Sequence, residues 1–127
     1  MKRRKSKHKP DKVAFSESQL VRSICKDDFY EFVKEFWSTH ISEQIIPNWH
    51  MKYLCRQLQK AAQRVFKGQS SPYDLCINIP PGTSKSTIVS EMFPAWVWLH
   101  MPTAKFICVS HTADVAMDLA RHSLMVM

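Results

Sequence analysis

The chain has 127 residues, 45% of them apolar, with 18 Lys and Arg against 11 Asp and Glu and a formal charge of +7. That length and apolar content suit one modest globular domain. No uninterrupted apolar run approaches the roughly 18 residues of a membrane span, and no apolar stretch follows the N-terminal charges as a secretory signal requires.

The charge is unevenly spread. Residues 1–12, MKRRKSKHKPDK, hold seven Lys and Arg against the single acid Asp11, so they carry +6 of the +7 and leave the body nearly neutral. This tail has no apolar periodicity and reads as a disordered basic segment. Its charge suits sequence-independent contact with DNA phosphate, or simply a solvated terminus. The four cysteines, Cys25, Cys55, Cys76 and Cys108, form neither a CxxC pair nor a zinc-type cluster with histidine. Buried free thiols are expected, Cys76 and Cys108 within strands.

Residues 13–70 read as a helical lead. A short helix is expected around Ser16 to Ile24. From Asp27 to His40, the spacing of Phe29, Phe32, Val33, Phe36 and Trp37 predicts an amphipathic helix with one aromatic face. Pro47 closes the irregular stretch that follows, and Asn48 is placed to cap a further helix reaching about Phe66 before Gly68. Its apolar face is Met51, Leu54, Leu58, Ala62 and Val65.

Residues 71–127 carry the chemistry. Two short apolar runs without alternation, Asp74 to Ile79 and Lys105 to Ser110, predict strands of a parallel sheet covered on both faces. Between them Ser84 to about Trp98 predicts a right-handed crossover helix with Ile88, Val89, Met92 and Trp96 toward the sheet. Pro94 is expected to kink or break that helix near Phe93. A last helix from about Ala113 would bury Ala113, Ala116, Met117, Ala120 and Leu124. The fold class that follows is α/β, an incomplete P-loop NTPase core behind an α-helical lead.

The junction of the first strand and the crossover helix reads IPPGTSKST. Unpaired N–H groups at a helix N-terminus, with their partial positive charge, attract an anion. Lys85 and Ser86 stand where a P-loop places the lysine of the β/γ-phosphates and the hydroxyl that holds Mg²⁺. Pro81, Gly82, Thr83, Ser84, Lys85, Ser86 and Thr87 are therefore the candidate nucleotide-binding residues, with Ser86 as the metal ligand and ATP and Mg²⁺ as the implied cofactors. The strict pattern GxxxxGK[ST] is not met: Ser84 stands at the second glycine and Ile79 at the first. A non-glycine residue in the left-handed region costs about 1–2 kcal/mol, and one hydrogen bond to a charged group returns about 1.5–3 kcal/mol. Ser84 is therefore tolerable in a phosphate loop.

PPGTSKST, then Phe93-Pro94-Ala95-Trp96, then the run Lys105 to Ser110, then Leu119-Ala120-Arg121, occur in the order and spacing of a known family. The segment resembles the N-terminal ATPase of phage terminase large subunits, the motors that package viral DNA into capsids. Many relatives carry an Arg at the position of Gly82 and a Gly at that of Ser84, so no arginine within the loop is implied. The resemblance implies that Trp49-His50 occupies an adenine-contacting motif, with His50 a further nucleotide contact, and that Ser110-His111-Thr112 faces or couples to nucleic acid. It also implies double-stranded DNA, a terminase small subunit and a portal protein as partners, a homo-oligomeric ring, and the cytoplasm of an infected bacterial host.

No apolar run ends in the acidic residue that a P-loop ATPase needs for Mg²⁺; Asp114 falls at the start of the following helix. The nuclease acids of the family are missing as well. The chain accordingly reads as the N-terminal portion of such a motor, expected to bind nucleotide weakly and to hydrolyse it slowly, if at all, by itself. Two alternatives stand beside this: a small non-catalytic DNA-binding or assembly protein that uses the basic tail, and part of another helicase-like P-loop translocase.

Overall fold

A computed structural model describes residues 16–126. The basic tail expected at residues 1–12 lies outside the described residues. The element order is α1 (Glu17–Asp27), α2 (Phe29–His40), α3 (Trp49–Phe66), a π-helical turn (Thr87–Met92) continuing into α4 (Phe93–His100), and α5 (Ala113–Met125).

The first three helices form where the sequence places them, each with an identifiable start. Ser16 and Gln19 make a reciprocal capping box at α1, the Ser16 N–H donating to Gln19 Oε1 at 3.1 Å. Asp28 ends α1 and caps α2, its carboxylate accepting from the N–H groups of Tyr30 and Glu31 at 2.8 and 3.2 Å. Asn48 Oδ1 accepts from the N–H of Trp49 at the start of α3. At the far end of α3, Gly68 takes φ +66°, while the Gln69 N–H reaches Arg64 O and the Gly68 N–H reaches Val65 O. This paired pattern is the Schellman closure that glycine permits.

One core joins both sides of residue 70. Phe29, Phe32, Val33 and Trp37 of α2, Met51, Leu54, Cys55, Leu58 and Ala62 of α3, and Ile88, Met92, Ala95 and Trp96 are all buried together. Trp96 sits at its centre, 1% exposed. Its ring lies 5.3 Å from that of Phe29 and 4.6 Å from that of His100, and its indole N–H donates to Cys25 O at 3.0 Å. A buried tryptophan needs such a partner for its one polar atom. Gln59 pins the α1–α2 corner to α3 with both ends of its amide, Oε1 accepting from the Phe29 N–H and Nε2 donating to Asp27 O.

The expected α/β core is not what forms. Among the described residues there is no strand and no sheet, and residues 74–79 and 105–110 make no backbone ladder with each other. A strand exists only where a second strand supplies hydrogen-bond partners about 4.8 Å away. An apolar run reports that its side chains suit burial; it does not supply that neighbour. Here Ile77, Ile79 and Ala104 lean on the edge of the helical core, while Ile107 and Val109 stay 92% and 88% exposed. Cys76 and Cys108, expected to be buried in strands, are exposed for the same reason, and the buried thiols are Cys25 and Cys55.

Of the kink or break expected near Phe93, no break forms: the helical run continues, but its hydrogen bonding changes there from π to α. Its first part widens into a π-turn, in which the Phe93 N–H bonds to Ile88 O, five residues back. Pro94 explains the widening. Having no N–H, it cannot bond to Ser90 O as an α-helix would require. Ser123 of α5 supplies the missing donor, its hydroxyl lying 2.8 Å from Ser90 O and 3.0 Å from Leu119 O. The face α5 presents inward thus differs from expectation. Ser123 is its buried residue, while Ala113, Met117, Ala120 and Leu124 are exposed and Ala116 is half-buried.

Candidate functional site

The loop between the first apolar run and the helix turns twice through the left-handed region. Gly82 has φ +77°, and Ser84 has φ +61°, the only positive-φ non-glycine among the described residues. Two such residues separated by one form a concave bend of the kind that points successive N–H groups inward. Thr83 fixes the bend from inside, its hydroxyl donating to Pro80 O at 2.7 Å. The Ser84 carbonyl accepts from the Ile88 N–H at 3.0 Å and so begins the helical hydrogen bonding.

Residues 80–87 together line a concavity of ≈ 360 Å³. Every candidate of the loop, from Pro81 to Thr87, is on its wall. Lys85 and Ser86 are the first two helical residues, Lys85 half-buried and Ser86 exposed. No carboxylate of the described residues pairs with Lys85. The arrangement offers an anion the N-terminal end of a helical run of sixteen residues, the Lys85 ammonium and four hydroxyls, of which that of Thr83 donates to Pro80 O.

His50 lies elsewhere, but next door. With Trp49, Tyr53 and Leu54 it lines a groove of ≈ 250 Å³ whose opposite wall is residues 75–79, the run that leads into Pro80. The rings of Trp49 and His50 stand edge to face, 6.2 Å apart. Trp49 is 78% exposed, so its ring is not spent in the core. The structure thus places the His50 groove beside the segment entering the loop without putting His50 on the loop itself.

No group of three His, Cys, Asp or Glu among the described residues could hold a metal ion. Ser86 alone cannot bind free Mg²⁺, which keeps octahedral oxygen coordination with several waters. A single hydroxyl does fit an ion that arrives already carrying phosphate oxygens and water. Ser110 is half-buried, His111 is exposed, and Thr112 is the residue before α5, without a side-chain cap bond. Asp114 is exposed in the first turn of α5. No helix among the described residues is long and apolar enough to cross a membrane.

Three features escape a reading of the sequence. Tyr53 joins the groove only because α3 faces residues 75–79. Gln59 holds the α1–α2 corner from a position that reads as surface. The Ser123 bond has half a signal: Pro94 marks Ser90 O as lacking its helical donor, but nothing names residue 123 as the replacement. Comparisons with protein-family models, curated proteins and solved structures return no match.

Proposed function

We propose that residues 81–87 bind the phosphates of ATP·Mg²⁺, and that the chain is the ATP-binding part of a DNA-packaging motor of the phage terminase large-subunit type. The observation that carries the reading is the pair of left-handed residues, Gly82 and Ser84, directly before the helical residues Lys85 and Ser86. A serine held at φ +61° costs about 1–2 kcal/mol. Strain of this kind clusters at ligand-holding turns. The reading rests on the loop and on the PPGTSKST and FPAW segments, and it does not draw on a sheet.

In this reading the loop N–H groups and the helix terminus receive the phosphate oxygens, and Lys85 neutralises part of their charge. Ser86 contributes one oxygen to Mg²⁺, which would supply charge neutralisation across the phosphates. Thr83, tied to Pro80 O, keeps the bend open at no cost in reorganisation when the anion arrives. The nucleoside end extends toward the groove of Trp49 and His50. Double-stranded DNA, the small subunit and the portal belong to the same proposal, as does assembly into a ring.

Titration with a fluorescent ATP analogue in the presence of Mg²⁺ tests it. Lys85→Ala removes a charge-assisted contact of about 1.5–3 kcal/mol, so affinity should fall by roughly 10- to 150-fold. Equal affinity in Lys85→Ala and the parent chain would sink the phosphate assignment. His50→Ala separates the groove from the loop: a loss there places the base beside Trp49, and none removes His50 from the site.

A further inference from the structure

The remaining surface holds one charged feature that neither the loop nor the core uses. Helix α3 is eighteen residues long and contains no Asp or Glu. Lys52, Arg56, Lys60 and Arg64 recur along it at intervals of four, and Lys67, its C-cap residue, follows three further on. At 100° per residue the five fall within an arc of about 120° and extend over about 22 Å. That arc lies opposite Met51, Leu58 and Ala62, which face the core, and all five residues are exposed.

On α2 and α5 a cation meets an acid of its own helix. Lys34 meets Glu31 at 2.7 Å on α2, and Arg121 meets Asp118 at 3.8 Å on α5. Along α3 and its C-cap none of the five cations has an ion-pair partner among the described residues, Asp74 included, although Asp74 shares a shallow concavity with Lys60 and Arg64. Lys52 alone has a further contact, over the Tyr30 ring at 5.9 Å. An uncompensated row of this length carries like-charge repulsion between i and i+4 neighbours, which an external polyanion relieves.

We propose that the exposed face of α3 is a docking surface for the backbone of duplex DNA. A duplex carries one negative charge per about 1.7 Å of axis, so about 22 Å of it offers a phosphate to every cation of the row at once. A single strand has half that density. An anionic membrane is a poor fit, because a helix that lies on lipid must insert its apolar face, and that of α3 is already buried in the core. The proposal rests on the motor reading only in favouring DNA as the polyanion; the cation row is independent of the nucleotide loop. It also differs from contact through residues 1–12, which carry their own charge.

The test is the salt dependence of binding to a 20-base-pair duplex by the full chain and by the Arg56→Gln, Lys60→Gln, Arg64→Gln triple variant. Each phosphate contact contributes about 0.9 to the slope of log K against log salt, so the triple variant should lose about 2.7 from that slope. Its nucleotide affinity should be unchanged, which reads the loop separately in the same preparation. A single strand of equal length and vesicles of anionic lipid should bind the parent chain more weakly than the duplex. An unchanged slope in the triple variant overturns the proposal, as does binding to strand or vesicle that matches the duplex. If the triple variant does not keep the parent's unfolding midpoint, the three single variants take its place, each expected to lose about 0.9.

Discussion

Two kinds of apolar sequence meet in this molecule and end differently. Around Trp96 each aromatic ring has a ring or a polar partner, and Phe29, Val33, Ile88 and Met92 reach full burial. Along residues 75–79 and 105–109 side chains just as apolar reach half-burial at most, as Ile77 and Ile79 do, with Ile107 and Val109 nearly free. The difference is one of partners. A helix satisfies its own backbone and needs only a neighbour for one face. An extended run must find both a backbone partner and a covering layer.

The widest gap between the regions should appear in thiol chemistry. Burial pushes the Cys55 thiol from its ordinary 9.0 up to about 12, with the Asp28 charge adding to the shift. Its thiolate population falls by roughly a thousandfold relative to an unshifted thiol, and the thiolate is the reactive form. With a thiol reagent at pH 8, Cys76 and Cys108 should label first and Cys55 only on unfolding. Prompt modification of Cys55 in the folded chain would erase the distinction. The raised value also fixes a sign: the neutral thiol's contribution to stability is present below pH 9 and is lost as pH rises toward 12.

Replacing the centre of the core comes next. Trp96→Ala removes a fully buried ring and leaves Cys25 O without its donor, so it should cost about 3–5 kcal/mol in urea unfolding. Ser123→Ala is smaller and more specific. It removes the hydroxyl that donates to Ser90 O beside Pro94 and should cost about 1–3 kcal/mol. Ser123→Thr, which keeps the hydroxyl, should retain more of the stability than alanine does. At the other end of the scale, Ile107→Thr on the exposed run should change stability by less than about 0.5 kcal/mol. A loss above about 2 kcal/mol there would show that the run is covered in solution and would close the comparison.

The sequence was readable wherever the cause of structure was local. Spacings of three and four among Phe29, Phe32, Val33 and Trp37 give α2 its buried face, and Asn48 and Gly68 bound α3 as their chemistry requires. The loop was legible too: Ser84 was the residue expected to tolerate a left-handed conformation, and it adopts one. The sheet was not legible, because Leu75 to Ile79 and Phe106 to Val109 state a preference for burial without naming what would lie beside them. The inward face of α5 failed for a related reason. Apolar periodicity favoured Met117 and Leu124, whereas a hydrogen bond to Ser90 O decided for Ser123. His50 was placed by resemblance, and the groove now gives it a setting that spacing alone did not.

The proline in the helix behind the loop has a consequence for the order in which the chain can mature. A chain emerging from the ribosome through His100 lacks the Ser123 hydroxyl, which lies 33 positions beyond the carbonyl it serves. Pro94 cannot serve the carbonyl of Ser90, and the hydroxyl that reaches it belongs to α5. The helix that begins at Lys85 and Ser86 is therefore braced, one turn further on, by a residue with no part in the loop. The last helix and the turn behind the concavity are thus coupled through that one contact.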